Sequence, residues 1–276
     1  METSNALYPC HINPTVPGEQ FISDHIFIYL VSGTMTVYDE NKEYLLEAGD
    51  YGFAKRNSLA KYLKKASANG NFKTVSIFFK QDFLKSFAKE YGYAAKHTPG
   101  NETIRKLAAN SFFENYVQSL GPYQNLLGTE RDQFLSLKNK EIIFILLKTN
   151  PELKNVLFDF SDPGKIDLES FMNRNFHFNI SMDRFAYLTG RSLTSFKRDF
   201  EKLFHAAPGR WLLEKRLQEA HFLIDKKGQK PSSVYLEVGF EDLSHFSYAF
   251  KKAYGVAPSQ LSNKPAKTDQ ELSYSH

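Results

Sequence analysis

The chain has 276 residues, of which 42% are hydrophobic and 24% charged, with a single cysteine and 35 Lys and Arg against 31 Asp and Glu. At about 150 residues per domain this length predicts two domains with separate cores, the apolar fraction excludes wholesale disorder, and one cysteine excludes both an intrachain disulfide and a cysteine-based zinc site. Residues 1–164 hold 18 basic and 18 acidic side chains, whereas residues 165–276 hold 17 and 13, so the net positive charge lies in the C-terminal part, where a polyanion-binding domain is to be sought.

In chain order, the first twenty residues carry Glu2 and Glu19 but no Lys or Arg, which speaks against a secretory signal. From Asp24 to about Phe79 the pattern is strand-like. HIFIYLVSG, TMTVYD, KEYLLEAGDYGFA and FKTVSIFFK are rich in β-branched and aromatic residues, punctuated by Gly33, Asp39–Asn41, Gly49-Asp50 and Asn69–Asn71, a spacing that predicts an antiparallel barrel or sandwich. Lys61, Lys64, Lys65 and Lys73 read as a solvated strand edge that discourages pairing. From about Gln81 to Asp159 the period turns helical. Ile142, Ile143, Leu146 and Leu147 recur at helical spacing before Asn150-Pro151 stops the helix. A second apolar stretch, Leu153–Phe160, follows; the pair either covers the barrel or exposes an apolar face for self-association. The longest uninterrupted apolar runs, Ile26–Val31 and Ile142–Leu147, span six residues each, against about twenty for a membrane span. A soluble, cytoplasmic protein is expected.

Ser161–Gly164 has linker composition. Beyond it the chain is almost entirely helical to about Leu261, and it repeats itself. Residues 193–208, LTSFKRDFEKLFHAAP, lie over 243–258, LSHFSYAFKKAYGVAP, with Leu193/Leu243, Phe196/Phe246, Phe200/Phe250, Lys202/Lys252, Ala207/Ala257 and Pro208/Pro258 identical. The apolar stripe runs i, i+3, i+7, i+10, i+11 in both copies and predicts two helices with one buried side, Leu203 included. Upstream of each lies a shorter helix and a Gly-containing turn: Ser181 to Leu188 before Thr189–Ser192, and Val234 to Val238 before Gly239–Asp242. Helix, turn, helix, repeated 50 residues apart and joined by a helix at Trp211–Asp225, predicts tandem helix-turn-helix units.

The stretches RLQEAHFLI (Arg216–Ile224) and VYLEVGFEDLSHFSYAFKKAYGVAP (Val234–Pro258) resemble the AraC/XylS-type DNA-binding domain. The resemblance covers roughly 166–261, and Gly239-Phe240, Phe246 with Phe250 and Lys251, Gly255 and Pro258 carry it. Three positions depart from the family pattern. Tyr235 stands where a small Ala is usual, His205 replaces the Gly that ends the first recognition helix, and Leu261 lies near a customary Tyr-Arg pair. The resemblance implies base readers at Thr194, Lys197 and Arg198, and at Leu243, Ser244 and Tyr248. Helical geometry adds Ser247 and Lys251 to the second outward face; such hydroxyl and basic faces suit a major groove. Lys226–Lys230 reads as a solvated basic loop.

The segment His25 to Ala54 loosely resembles the cupin-like barrel often fused to such domains. The metal-binding cupin cluster is absent from the sequence, and His11, His25 and His97 are widely spaced, so neither a metal site nor a cofactor is expected. No phosphate loop or nucleophile elbow is found. Cys10 has no charged neighbour to form a thiolate. Phe27, Tyr29, Tyr38, Tyr44, Tyr51 and Phe53 either line an effector pocket or form core, core being the commoner case.

The expected fold class is therefore α+β. A cupin-like antiparallel β-barrel with helices (1–160), for sensing and dimerisation, precedes an all-α tandem helix-turn-helix domain (166–263). The expected function is a DNA-binding transcription regulator, not an enzyme, and an activator rather than a repressor. Its expected partners are promoter DNA, a small-molecule or protein effector, RNA polymerase and a second copy of itself, with no membrane. The rival readings are a cupin-type enzyme and a protein-binding module without a DNA role.

Overall fold

The computed structural model describes residues 15–39, 42–96, 102–125 and 128–262. Cys10, His11, His97, part of the Asp39–Asn41 turn and the polar tail after Ser262 lie outside the described residues. The chain divides between Pro163 and Gly164 into two compact units.

Among the described residues the N-terminal unit holds eight strands: β1 (Thr15–Ile22), β2 (His25–Ser32), β3 (Thr34–Asp39), β4 (Lys42–Glu47), β5 (Tyr51–Ala54), β6 (Ser58–Lys65), β7 (Lys73–Phe79) and β8 (Ile104–Leu107). They form two four-stranded antiparallel sheets, ordered β1-β6-β3-β4 and β7-β2-β5-β8. The expected barrel is thus an open pair of sheets, since no ladder among the described residues joins one sheet to the other. Burial on both faces, with side chains alternating at period two, explains the uninterrupted apolar run Ile26–Val31 of β2. Ile26, Ile28 and Leu30 pack with Met35, Val37, Leu46 and Ala60 of the other sheet. Phe27, one residue out of phase, packs with the helices instead.

Those helices are α1 (Gln81–Tyr91), α2 (Ser111–Ser119), α3 (Gly128–Thr149) and the single turn α4 (Lys154–Leu157). Ile142, Ile143 and Leu146 of α3, with Leu153, Leu157 and Phe158, are buried in one cluster with Phe27, Phe53, Ile77 and Phe79. Of the two readings of the 142–160 segment, covering the sheet is therefore what these residues do. The lysine-rich strand corrects a second expectation. β6 is not an edge but lies between β1 and β3, paired on both sides. Its backbone pairs with β1 along its whole length and with β3 from Lys61 to Lys65, while its lysines reach solvent along their stems; Lys64 Nζ stands over the Tyr62 and Phe72 rings at 4.7 and 5.5 Å. Lys73 does lie on an edge strand, β7.

The C-terminal unit comprises α5 (Leu168–Asn175), α6 (Met182–Leu188), α7 (Leu193–Phe204), α8 (Pro208–Asp225), α9 (Pro231–Glu237), α10 (Leu243–Tyr254) and α11 (Pro258–Ser262). Ser181, Ser192 and Asp242 cap α6, α7 and α10 through bonds from Arg184, Ser195 and His245 N–H, each cap contributing about 1 kcal/mol. His205 ends α7 in the left-handed region at φ 52°, where Gly255 at φ 75° ends α10. α8 serves both halves. Its Trp211 packs edge-on to Phe200 and against Phe204, while Leu217, Ala220, Leu223 and Ile224 join the core around Phe246 and Phe250.

Candidate nucleic-acid interface

Phe196 and Phe200 are fully buried, and together with Phe204 and Trp211 they form an aromatic seam under α7. The matching seam under α10 is Phe246, Phe250 and Tyr254, with His221 of α8 stacked on it. Leu203 corrects the predicted stripe, being 41% exposed. The seam follows i, i+4, i+8, and Leu203 lies about 60° to one side of its centre at Phe200. Leu243 is likewise 40% exposed. Leu261, one of the three departures, is buried among Leu217, Val234 and Phe250, so it replaces a polar pair with core.

With the phenylalanines inward, Thr194, Lys197, Arg198 and Glu201 are all exposed on the opposite face of α7. On α10, Leu243, Ser244, Tyr248 and Lys251 are exposed and Ser247 is half-buried. Tyr248 is 69% exposed, the most open of the large apolar side chains described there. Each helix therefore offers an outward face of hydroxyl and basic groups over about two turns, joined on α7 by Glu201 and on α10 by Leu243 and Tyr248, long enough to reach several base edges.

One feature of this surface was not read from the sequence. Asp199 gathers three cations: Arg191 Nε at 3.2 Å, Arg198 Nη2 at 3.3 Å and Lys165 Nζ at 3.7 Å. The Arg191 guanidinium foremost, with Arg198 and Lys165 adding to it, holds the Asp199 carboxyl below the usual carboxylate range. Arg191 also donates to the Thr189 and Ile166 carbonyls, so the chain entering this unit is fastened to the first turn. Gly190 permits that approach. At φ +66° a Cβ there would lie 2.4 Å from the Gly164 carbonyl carbon. The pairing Arg191/Asp199 is eight residues apart, outside the short helical spacings a sequence reader scans.

In the N-terminal unit, most of the aromatic set proves to be core. Phe27, Tyr51 and Phe53 are buried; Phe27 and Tyr51 stack with each other, and both pack at a tilt against Phe113. Tyr29 and Tyr44 are half-buried and Tyr38 is exposed. A separate open cleft of about 290 Å³ is lined by Phe53, Lys55, Glu102, Arg105, Leu153 and Val156. Burial lowers the Lys55 ammonium from its ordinary value. Among the described residues, no group of three or more His, Cys, Asp and Glu could hold a metal ion, and no helix is long and apolar enough to cross a membrane.

Comparison with known proteins matches both units. Residues 25–156 match the family model described as the ExsA N-terminal regulatory domain, and residues 185–264 match a helix-turn-helix domain. The chain is 25% identical over 258 residues to the HTH-type transcriptional regulator ExsA of Pseudomonas aeruginosa, covering 91% of this chain and 90% of that protein. It is 24% identical over 257 residues to the thermoregulatory protein LcrF of Yersinia pestis, covering 90% and 92%. It is also 24% identical over 245 residues to the virulence regulon transcriptional activator VirF of Yersinia enterocolitica, covering 86% and 88%.

Proposed function

We propose that the chain, whose C-terminal unit matches a helix-turn-helix domain, is a transcription activator of the AraC/XylS type that reads promoter DNA with α7 and α10. The observation that carries this reading is the duplication itself. Two capped helices of equal length, each seated on a buried phenylalanine pair, present polar and basic faces outward. In this reading Thr194, Lys197 and Arg198 contact one major-groove segment, and Leu243, Ser244, Ser247, Tyr248 and Lys251 the next. Arg198 donates to guanine, the hydroxyls reach phosphate or base edges, and the apolar Leu243 and the Tyr248 ring meet a thymine methyl or sugar.

The N-terminal unit senses an effector or partner and brings two copies together. The exposed side chains Phe134 and Leu137 on α3 support self-association, because they lie three residues apart on the face away from the buried Ile142, Ile143 and Leu146. The chain acts in the cytoplasm, with RNA polymerase as its downstream partner, and it is not a catalyst. A gel shift on random duplex, repeated across salt, tests the DNA reading. Affinity should fall steeply as salt rises, with a log–log slope of about −0.9 per neutralised phosphate. Salt-independent binding, or none, overturns it in favour of a protein-binding role.

A further inference from the structure

The two helix-turn-helix halves are tied together by more than the helix that joins them. Arg216, half-buried in the middle of α8, donates three bonds to backbone carbonyls: Nε to Phe176 at 2.8 Å, Nη2 to Phe178 at 2.9 Å and Nη1 to Gly239 at 3.0 Å. The first two acceptors lie between α5 and α6, in the first half. The third is the turn between α9 and α10, in the second. The same two segments meet twice more. Gly239 sits at φ +93°, and a Cβ there would lie 2.0 Å from the His177 carbonyl oxygen. Asn179 Nδ2 donates to Glu241 Oε1 at 2.7 Å.

We propose that Arg216 is a positioning residue for DNA recognition, one that sets the second recognition helix against the first and so dictates the spacing of the DNA boxes the chain accepts. The proposal rests on the DNA-binding reading above. Its physical basis is leverage. α8 alone could flex, and a tilt of roughly 10° across the ~34 Å between neighbouring groove segments displaces the far helix by about 6 Å, nearly two base-pair steps. A planar guanidinium with fixed donors can hold three carbonyls on two segments at once; a lysine ammonium, a point charge on a flexible stem, holds no such fork. Arg216 touches no base in this arrangement. It acts through the helices it aligns.

Two measurements on the full chain test it. The first uses a duplex selected from random DNA by the unsubstituted protein, then rebuilt with one, two or five base pairs inserted between its boxes. The unsubstituted protein should lose at least about tenfold in affinity on insertion of two base pairs, of the order of one to two mismatched contacts. Arg216→Met keeps the apolar stem and removes the fork, and should narrow the ratio between the original and spaced duplexes to within about threefold. The second measures the distance between spin labels at Lys202→Cys and Lys252→Cys, both exposed, in a Cys10→Ser background without DNA. The distribution should be narrow with Arg216 and broad with Met. Gly239→Ala, which drives a methyl group at the His177 carbonyl, should broaden it from the other side.

A narrow distribution in the Met variant, or an unchanged spacing ratio, overturns the proposal. Loss of folding in both Arg216→Met and Gly239→Ala overturns it too, since the contact would then hold up the unit rather than its register. A selected duplex with a single box refutes the tandem-reading premise; the label distances, which need no DNA, separate that failure from failure of the Arg216 contact.

Discussion

Acid should destabilise the N-terminal unit through one imidazole. His25 is 1% exposed, stacked on Phe53, and its Nδ1 accepts the Arg56 backbone N–H at 3.1 Å. Burial foremost, then the charges of Arg56 and Lys55, lowers its pKa from 6.5 to about 3. The unfolded chain therefore takes up a proton as pH falls through 6.5, while the folded chain stays neutral until about pH 3. The stabilisation is complete above the unfolded value and is lost on descent at about 1.4 kcal/mol per pH unit. At about pH 4.5, two units down, it amounts to about 3 kcal/mol, a large share of a domain's usual 5–15 kcal/mol. His25→Asn keeps an acceptor for the Arg56 N–H and does not titrate, and carboxylate effects common to both proteins cancel in the comparison. Urea titrations at about pH 7.5 and about pH 4.5 measure the difference. Far-UV circular dichroism follows both units, and Trp211, the single tryptophan, isolates the C-terminal one. The unsubstituted protein should lose about 3 kcal/mol more than the variant in the transition that Trp211 does not see. Equal losses in the two proteins refute the reasoning.

Arg198→Ala should lose about 1–3 kcal/mol on the cognate duplex and relax preference at one base pair, with a smaller loss on random DNA at matched salt; equal losses on both duplexes reduce Arg198 to a backbone contact. Phe250→Ala removes a fully buried ring and should cost about 3–5 kcal/mol of folding stability in a denaturant titration, lowering affinity for all duplexes together. Gly190→Ala should displace the Gly164–Ile166 segment from the first turn and lower stability by about 1–3 kcal/mol, and an unshifted Trp211 fluorescence melt contradicts that seating. Lys227→Ala, on the exposed loop beside Phe222, should change affinity for any duplex by less than about 0.5 kcal/mol in the same binding assay.

What could be read from the sequence was whatever local rules control. The 50-residue repeat placed α7 and α10 at the residues where they are found, because caps at Ser192 and Asp242 and left-handed stops at His205 and Gly255 act within a few residues of the helix ends. The phenylalanine seam was legible for the same reason. Leu203 was not: identity of residue type at i+10 in the stripe gave no weight to its angular offset from Phe200 and Phe204, so an exposed leucine looked buried. In the N-terminal unit, β6 was mistaken for an edge because lysines signal solvent on a side-chain face, and a strand paired on both backbone edges can still show such a face. β8 is four residues long and owes its strand conformation to pairing with β5, a partner about fifty residues earlier. Arg216 and Asp199 were invisible as hubs, since their partners, Phe176, Gly239, Arg191 and Lys165, are brought to them by tertiary structure.

Hydroxyl-radical footprinting of the full chain on its selected duplex tests the tandem reading most directly. Two recognition helices in neighbouring groove segments should leave two protected patches per bound chain, on one face of the duplex, centred about one helical turn or 34 Å apart and differing in sequence. Arg198→Ala should thin one patch and Tyr248→Ala the other. A single patch, patches on opposite faces, or a symmetric pair that both substitutions weaken alike would contradict one chain reading DNA with α7 and α10 together.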